Sequence, residues 1–180
     1  MTRLFSPLVK ARGFTLIEVL IALVVTAVGL LGLAKMQALA ISSTKTSGNR
    51  SLIALQVGSL VSAMHANKAF WTSAAVPSTF SAATSVVSDT SGILNATVAG
   101  GCASLCTPAN MAANDVQVWA ADMNKQFPSY TAKVNCTNGT NQPVSCQIYV
   151  TWTESNVALS QTSSGGASSP APSFSVFVKP

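Results

Sequence analysis

The sequence predicts an α+β protein: a long N-terminal helix, one half transmembrane and one half amphipathic, packed on a small antiparallel β-sheet with one further helix. Three observations carry this reading. Phe14 to Ala34 is an unbroken apolar run of 21 residues with one charge in it, Glu18. Beyond it, apolar residues recur at spacings of three and four as far as Met64. Closer to the C-terminus, segments alternate apolar and polar residues with a period of two, the pattern of half-buried strands.

The apolar run comes first. At 1.5 Å per residue it makes about 31 Å of helix, enough to cross a hydrocarbon core of ~30 Å. Basic residues stand before it (Arg3, Lys10, Arg12), and the next charge, Lys35, stands at its far end. A secretory signal has its small-residue cleavage site after the apolar region. Here the small residue, Gly13, precedes the run, so a cut at Gly13–Phe14 leaves the helix on the mature chain. Glu18 lies close to the start of that helix. A carboxylate inside lipid costs about 2.5–3.5 kcal/mol on insertion scales, so this one needs a partner.

Gly13-Phe14-Thr15-Leu16-Ile17-Glu18 followed by an apolar helix resembles the N-terminal signature of type IV pilins and type II secretion pseudopilins. The resemblance implies cleavage after Gly13 by a prepilin peptidase/methyltransferase and N-methylation of Phe14. It also implies that Glu18 is the assembly contact, pairing with the Phe14 amine of a neighbouring subunit. Such pairing would remove two charges from hydrocarbon together. Within the superfamily, three further stretches are similar to the PilV-type minor pilins (type IV pilus modification proteins). These are Gly29 to Ala34 followed by Met36-Gln37, Cys106-Thr107-Pro108 leading to Trp119, and Tyr149 to Glu154. The proline common near the outer end of the family's membrane helix is absent, and Lys35 stands about where it would be.

That resemblance implies a minor pilin that helps to prime or assemble the pilus. The implied partners are other minor pilins, the major pilin, the inner-membrane assembly platform and a tip adhesin. It implies a single pass through the bacterial inner membrane, a periplasmic C-terminal domain and incorporation into the cell-surface pilus. The expected organisation is a cleaved leader at 1–13, a membrane and filament-core helix at 14–34, its amphipathic continuation at 35–68 and a globular domain at 69–180.

Composition narrows the function classes. The formal charge of +5 misleads, because three of the ten basic residues lie in the leader, leaving seven against five acidic ones. No basic stripe marks a nucleic-acid surface, and no nucleic-acid partner is expected. The leader charges suit a topology signal, since Lys and Arg remain cytoplasmic. Four cysteines fit an oxidising compartment and allow three connectivities. Zinc is disfavoured, because neither pair has C-x2-C spacing and the single His65 is distant. No metal, cofactor or catalytic residue is expected. Asp89, Asp115, Asp122 and Glu154 are scattered, and neither a phosphate-cradling loop nor a nucleophile elbow is present.

Along the chain, Leu52, Ile53, Leu55, Val57, Leu60, Val61 and Met64 make a broad apolar stripe. The Ser/Thr-rich stretch Ser42–Gly48 is a poor helix former, so a kink or loosened turn is expected there. Residues 69–106 read as loop with one or two short strands, broken by Pro77 and Gly100-Gly101. A second helix starts with Thr107 as cap and Pro108 at its first position, and Pro128 stops it after Phe127. Its apolar face is Val116, Trp119, Ala120, Met123 and Phe127.

The strands follow. Tyr130, Ala132, Val134 and Cys136 alternate with polar residues; so do Val144, Cys146, Ile148, Val150 and Trp152, and then Phe174, Val176 and Val178. If Cys136 faces Cys146 across a hairpin with its loop at Asn138–Pro143, Val134 faces Ile148, Ala132 faces Val150 and Tyr130 faces Trp152. Every inward position then meets an inward position, and a one-residue slip would undo this. The pattern therefore favours two local bridges, Cys136–Cys146 and Cys102–Cys106. The sequons at Asn95, Asn135 and Asn138 read as chance in a Ser/Thr-rich chain. The alternatives to a pilus role are a minor pseudopilin of a type II secretion system and a surface- or ligand-binding module. For the latter, the stretches Thr72–Asp89 and Gln161–Pro172 are the expected exposed loops.

Overall fold

A computed structural model of the 180-residue chain describes residues 13–98, 100–103, 105–137, 142–154 and 171–180. Arg3, Lys10, Arg12, the sequon at Asn138 and most of the Gln161–Pro172 stretch lie outside the described residues. The chain forms two compact units, Met1–Ser43 and Thr44–Pro180.

Helix α1 runs from Leu16 to Ala66. Thr15 starts it, its hydroxyl accepting the Glu18 N–H at 3.3 Å, a serine/threonine-type cap on the first turn. In the N-terminal unit α1 is long and apolar enough to cross a membrane, and none of its most apolar 18-residue window is buried. The one hydroxyl deep in that stretch satisfies itself: Thr26 Oγ1 donates to the carbonyls of Ala22 at 2.9 Å and Leu23 at 3.0 Å. Helical structure continues through Ser42–Gly48, where a loosened turn was expected. Nearby hydroxyls bond back to the preceding turn, as Ser51 Oγ does to the Ser47 carbonyl at 3.1 Å, so they do not open the backbone.

The unit Thr44–Pro180 is a five-stranded antiparallel sheet with helices on one face. Ile53, Val57, Leu60 and Met64 of α1 are fully buried in its core. Their spacing of four, three and four is a single seam, narrower than the expected stripe. Leu52 and Leu55 flank that seam and are 45 % and 70 % exposed. Asn67 ends α1; its side-chain amide is buried and donates to the Pro108 carbonyl at 2.7 Å. A four-residue helix, α2 (Lys68–Trp71), then sinks Phe70 and Trp71 into the core.

Thr72–Asp89 is largely a hairpin rather than an exposed loop. Strands β1 (Thr79–Ala83) and β2 (Val86–Asp89) pair antiparallel from Phe80–Asp89 to Ala83–Val86. The two-residue turn places Thr84 at φ 55°, a conformation that costs a β-branched residue energy and that sequence patterning would assign to Gly or Asn. Asp89 then organises the irregular chain that follows. Its carboxylate accepts from the Ser91 N–H (2.9 Å) and hydroxyl (2.6 Å), and from the N–H groups of Ile93 and Leu94 (3.0 Å each). Burial pushes this carboxyl up, but the bonds from Leu94, Ser91 and Ile93 outweigh it and hold the group below the ordinary range.

Helix α3 spans Pro108–Gln126. The expected punctuation is present: Thr107 Oγ1 accepts the Asn110 N–H at 3.2 Å, Pro108 opens the helix, and Phe127 closes it. Val116, Trp119, Ala120, Met123 and Phe127 are buried, joined by Ala112 and Ala113. Trp119 Nε1 donates to the Gln56 carbonyl at 2.8 Å, and Tyr130 Oη to the Ala120 carbonyl at 3.0 Å. Burial pushes the Tyr130 phenol up to about 12.

Strands β3 (Thr131–Thr137), β4 (Ser145–Thr151) and β5 (Ser173–Val178) complete the sheet in the order β2-β1-β3-β4-β5. The β3–β4 register pairs Cys136 with Cys146, Val134 with Ile148 and Ala132 with Val150, as the alternation requires. Tyr130 and Trp152 lie one step beyond the ladder, both buried. After β4, Glu154 accepts two bonds from Arg50 of α1, Nε to Oε1 and Nη2 to Oε2, each at 3.1 Å. Trp152 Nε1 also donates to Oε1 at 3.0 Å. The Arg50 bond is the main cause holding the Glu154 carboxyl low; burial opposes it, and the Trp152 bond adds to it.

These carboxylates set a pH dependence. Both have folded values below their ordinary 3.8 (Asp89) and 4.5 (Glu154), so the stability they supply is present above those values. It is lost as pH falls through the folded values. Asp115, raised by burial, acts in the opposite sense. Thermal melts of the full chain in non-ionic detergent should therefore lose stability below about pH 4.5. Asp89→Asn should cost about 1–3 kcal/mol at pH 7 and flatten that acid limb. A variant with an unchanged melt and an unchanged acid limb would show that the Asp89 cap contributes nothing.

Candidate functional site

The residues singled out at the N-terminus sit on an exposed segment and the first turn of α1. Gly13, Phe14 and Thr15 precede the helix and are exposed, Phe14 at 83 %. A side chain built on Gly13 would meet no atom within 4 Å. Glu18 falls in the first turn of α1, where a negative charge is favoured by the helix dipole. Thr15 and Glu18 stand at capping-box spacing, and the threonine half of the box is formed. Among the described residues, nothing bonds or ion-pairs with the Glu18 carboxylate. The apolar side chains that follow are exposed, Leu16 at 88 % and Leu31 at 72 %. Among the described residues, the apolar side chains of this segment and the Glu18 carboxylate are therefore without protein partners.

The four cysteines stand as two pairs at disulfide distance. Cys136 and Cys146 have sulfurs 2.06 Å apart, and Cys102 and Cys106 have sulfurs 2.17 Å apart. The first pair crosses the β3–β4 hairpin. The second clamps the short loop between Gly100-Gly101, both at positive φ, and the cap of α3. The positive φ values explain why two glycines break the chain there.

The remaining polar candidates do not converge. His65 is exposed on α1, Asp89 is consumed by its loop, and Glu154 is held by Arg50 and Trp152. Asp115 and Asp122 share an open groove between α1 and α3 with Val118 and Trp119, and Asp122 is paired with Lys125 at 2.8 Å. Among the described residues, no three His, Cys, Asp or Glu side chains come together. Three structural residues escaped the sequence reading: Asn67, Gln117 and Arg50. Gln117 Nε2 donates to the carbonyls of Leu94 (2.8 Å) and Ala96 (2.9 Å), pinning the preceding loop to α3. No local pattern signals these long-range contacts, the largest of which spans 104 residues from Arg50 to Glu154.

Residues 8–34 match the family model described as the prokaryotic N-terminal methylation motif. No curated protein and no solved structure gives a significant match. The matched stretch contains Gly13, Phe14 and Glu18 and ends where the apolar run ends. The chain carries a prepilin-type N-terminal motif, which indicates a prepilin-type pilin or pseudopilin.

Proposed function

We propose that this chain is a minor pilin of a type IV pilus, most like the PilV-type family, anchored in the inner membrane before it enters the filament. The observation that carries the proposal is the prepilin-type motif at 8–34 leading into an apolar helix whose Glu18 has no partner among the described residues. In this reading a prepilin peptidase cuts after Gly13 and methylates the new Phe14 amine. The helix waits in the bilayer with its globular unit on the periplasmic side. On assembly, Glu18 meets the Phe14 amine of a neighbouring subunit. Only a correctly staggered neighbour neutralises both charges, so the cost of the unpaired acid acts as a register check. Other minor pilins, the major pilin, the assembly platform and a tip adhesin are the proposed partners. The Cys106-Thr107-Pro108 cap and the Tyr149–Glu154 stretch support the narrower PilV-type assignment.

Because a side chain at position 13 meets nothing in the folded chain, Gly13→Val is a clean test of processing. It should fold as wild type yet keep its leader, and efficient maturation would refute the cleavage site. Glu18→Ala should be cleaved normally but enter filaments poorly; normal incorporation would contradict the pairing. Intact mass of the protein from host membranes and from sheared filaments tests the whole reading. A chain starting at methylated Phe14 in both fractions is expected. Processed protein confined to the membrane would reassign it to a secretion pseudopilin, and an uncleaved chain would remove the pilin reading.

A further inference from the structure

The sheet has two faces of different chemistry. One packs under α1 and α3 as the core. The other is exposed and carries the odd-numbered residues of β3, β4 and β5. Among the described strand residues on that outer face there is no Asp or Glu. The acids of this unit lie elsewhere: Asp89 points inward, Asp115 and Asp122 sit on α3, and Glu154 is bound by Arg50. What the face does present is Lys133, with Lys179 just after β5, in a field of hydroxyls and amides.

Two aromatic rings stand out of this polar field. Tyr149 is 43 % exposed and Phe177 is 72 % exposed. Tyr149 pairs across the ladders with Lys133 on β3 and Ser175 on β5, and Phe177 pairs with Gln147. The two rings are therefore diagonal neighbours on adjacent strands, with about 7–8 Å between their backbone positions. Asn135 completes the row on β3, its Oδ1 accepting the Thr79 hydroxyl at 3.2 Å. Next to Lys133 the surface dips into an open depression lined by Thr79, Ser81 and Ser88. Asp89 borders that depression, but its carboxylate is already taken by Ser91, Ile93 and Leu94.

We infer that this outer face binds an acidic polysaccharide. Sugar rings present flat C–H faces that lie on exposed aromatic rings, and their hydroxyls exchange bonds with amide and hydroxyl side chains. Spaced carboxylates on the polymer meet Lys133 and Lys179 without meeting an acid on the face. Single-stranded nucleic acid would also stack, but it brings a phosphate at every nucleotide, and two lysines are few for that density. The inference stands on the sheet alone and does not depend on the pilin reading.

The test uses the full chain in non-ionic detergent on immobilised hyaluronate, which carries one carboxylate per disaccharide, with dextran as the neutral control and an oligo(dT) competitor. Retention on hyaluronate, weakened by salt and absent on dextran, is expected. Tyr149→Ala with Phe177→Ala should lower retention about tenfold. Lys133→Gln with Lys179→Gln should remove most of the salt dependence. Val118→Asn, on α3, should bind as wild type. Near-uv circular dichroism checks folding, and if the double aromatic variant fails to fold, Phe177→Ser alone carries the comparison. No retention of wild type, equal binding by the aromatic variant, or equal loss in Val118→Asn would overturn the inference. Displacement by oligo(dT) at lower concentration than by free hyaluronate would assign the face to nucleic acid instead, and equally overturn it.

Discussion

The constraint on which the rest depends is the single acid in an apolar helix. Removing a carboxylate from water without a partner is costly, and nothing in the described chain compensates Glu18. The globular unit is in the opposite condition. Its cysteines are paired, and among the described residues no buried side-chain polar atom lacks a bonding partner. Among the described residues, the buried polar side chains of one unit are satisfied within it, while the one carboxylate of the other is not.

The globular unit reaches completeness through a few long-range bonds laid over local signals. The local signals were legible. Thr107, Pro108 and Pro128 bracket α3 because caps and prolines act within one turn. The β3–β4 register could be read because two cysteines and three apolar pairs had to agree at once. The first hairpin was only half legible, because its turn uses Thr84 where pattern expects Gly or Asn, and its strands are four and five residues long. Leu52 and Leu55 misled for another reason. Periodicity shows that a helix has an apolar side, but the partner's width decides how much of it is covered.

The candidate site at the N-terminus was legible for the reason the long-range contacts were not. Gly13, Phe14, Thr15 and Glu18 lie within six residues of one another, so spacing alone groups them. Arg50 and Glu154 meet across 104 residues, and no spacing rule joins them. The same meeting gives the Tyr149–Glu154 stretch a packing role: Trp152 is buried, and Glu154, just past β4, ties it to α1. The outer sheet face was hidden in a similar way. Alternation shows which residues share a face, but only the folded chain shows that the one acid bordering it, Asp89, is already taken by Ser91, Ile93 and Leu94.

The cysteine pairing has a consequence for how the chain matures. The cysteines pair in order along the sequence, the first with the second and the third with the fourth, Cys102 with Cys106 and Cys136 with Cys146. Of the three connectivities open to four cysteines, this is the one reached by simple order of appearance. A chain oxidised as it emerges, N-terminal end first, meets the correct partner before any competitor is available. Its bridges need no reshuffling, so a thiol oxidant alone, without an isomerase, is sufficient to reach the native pairing.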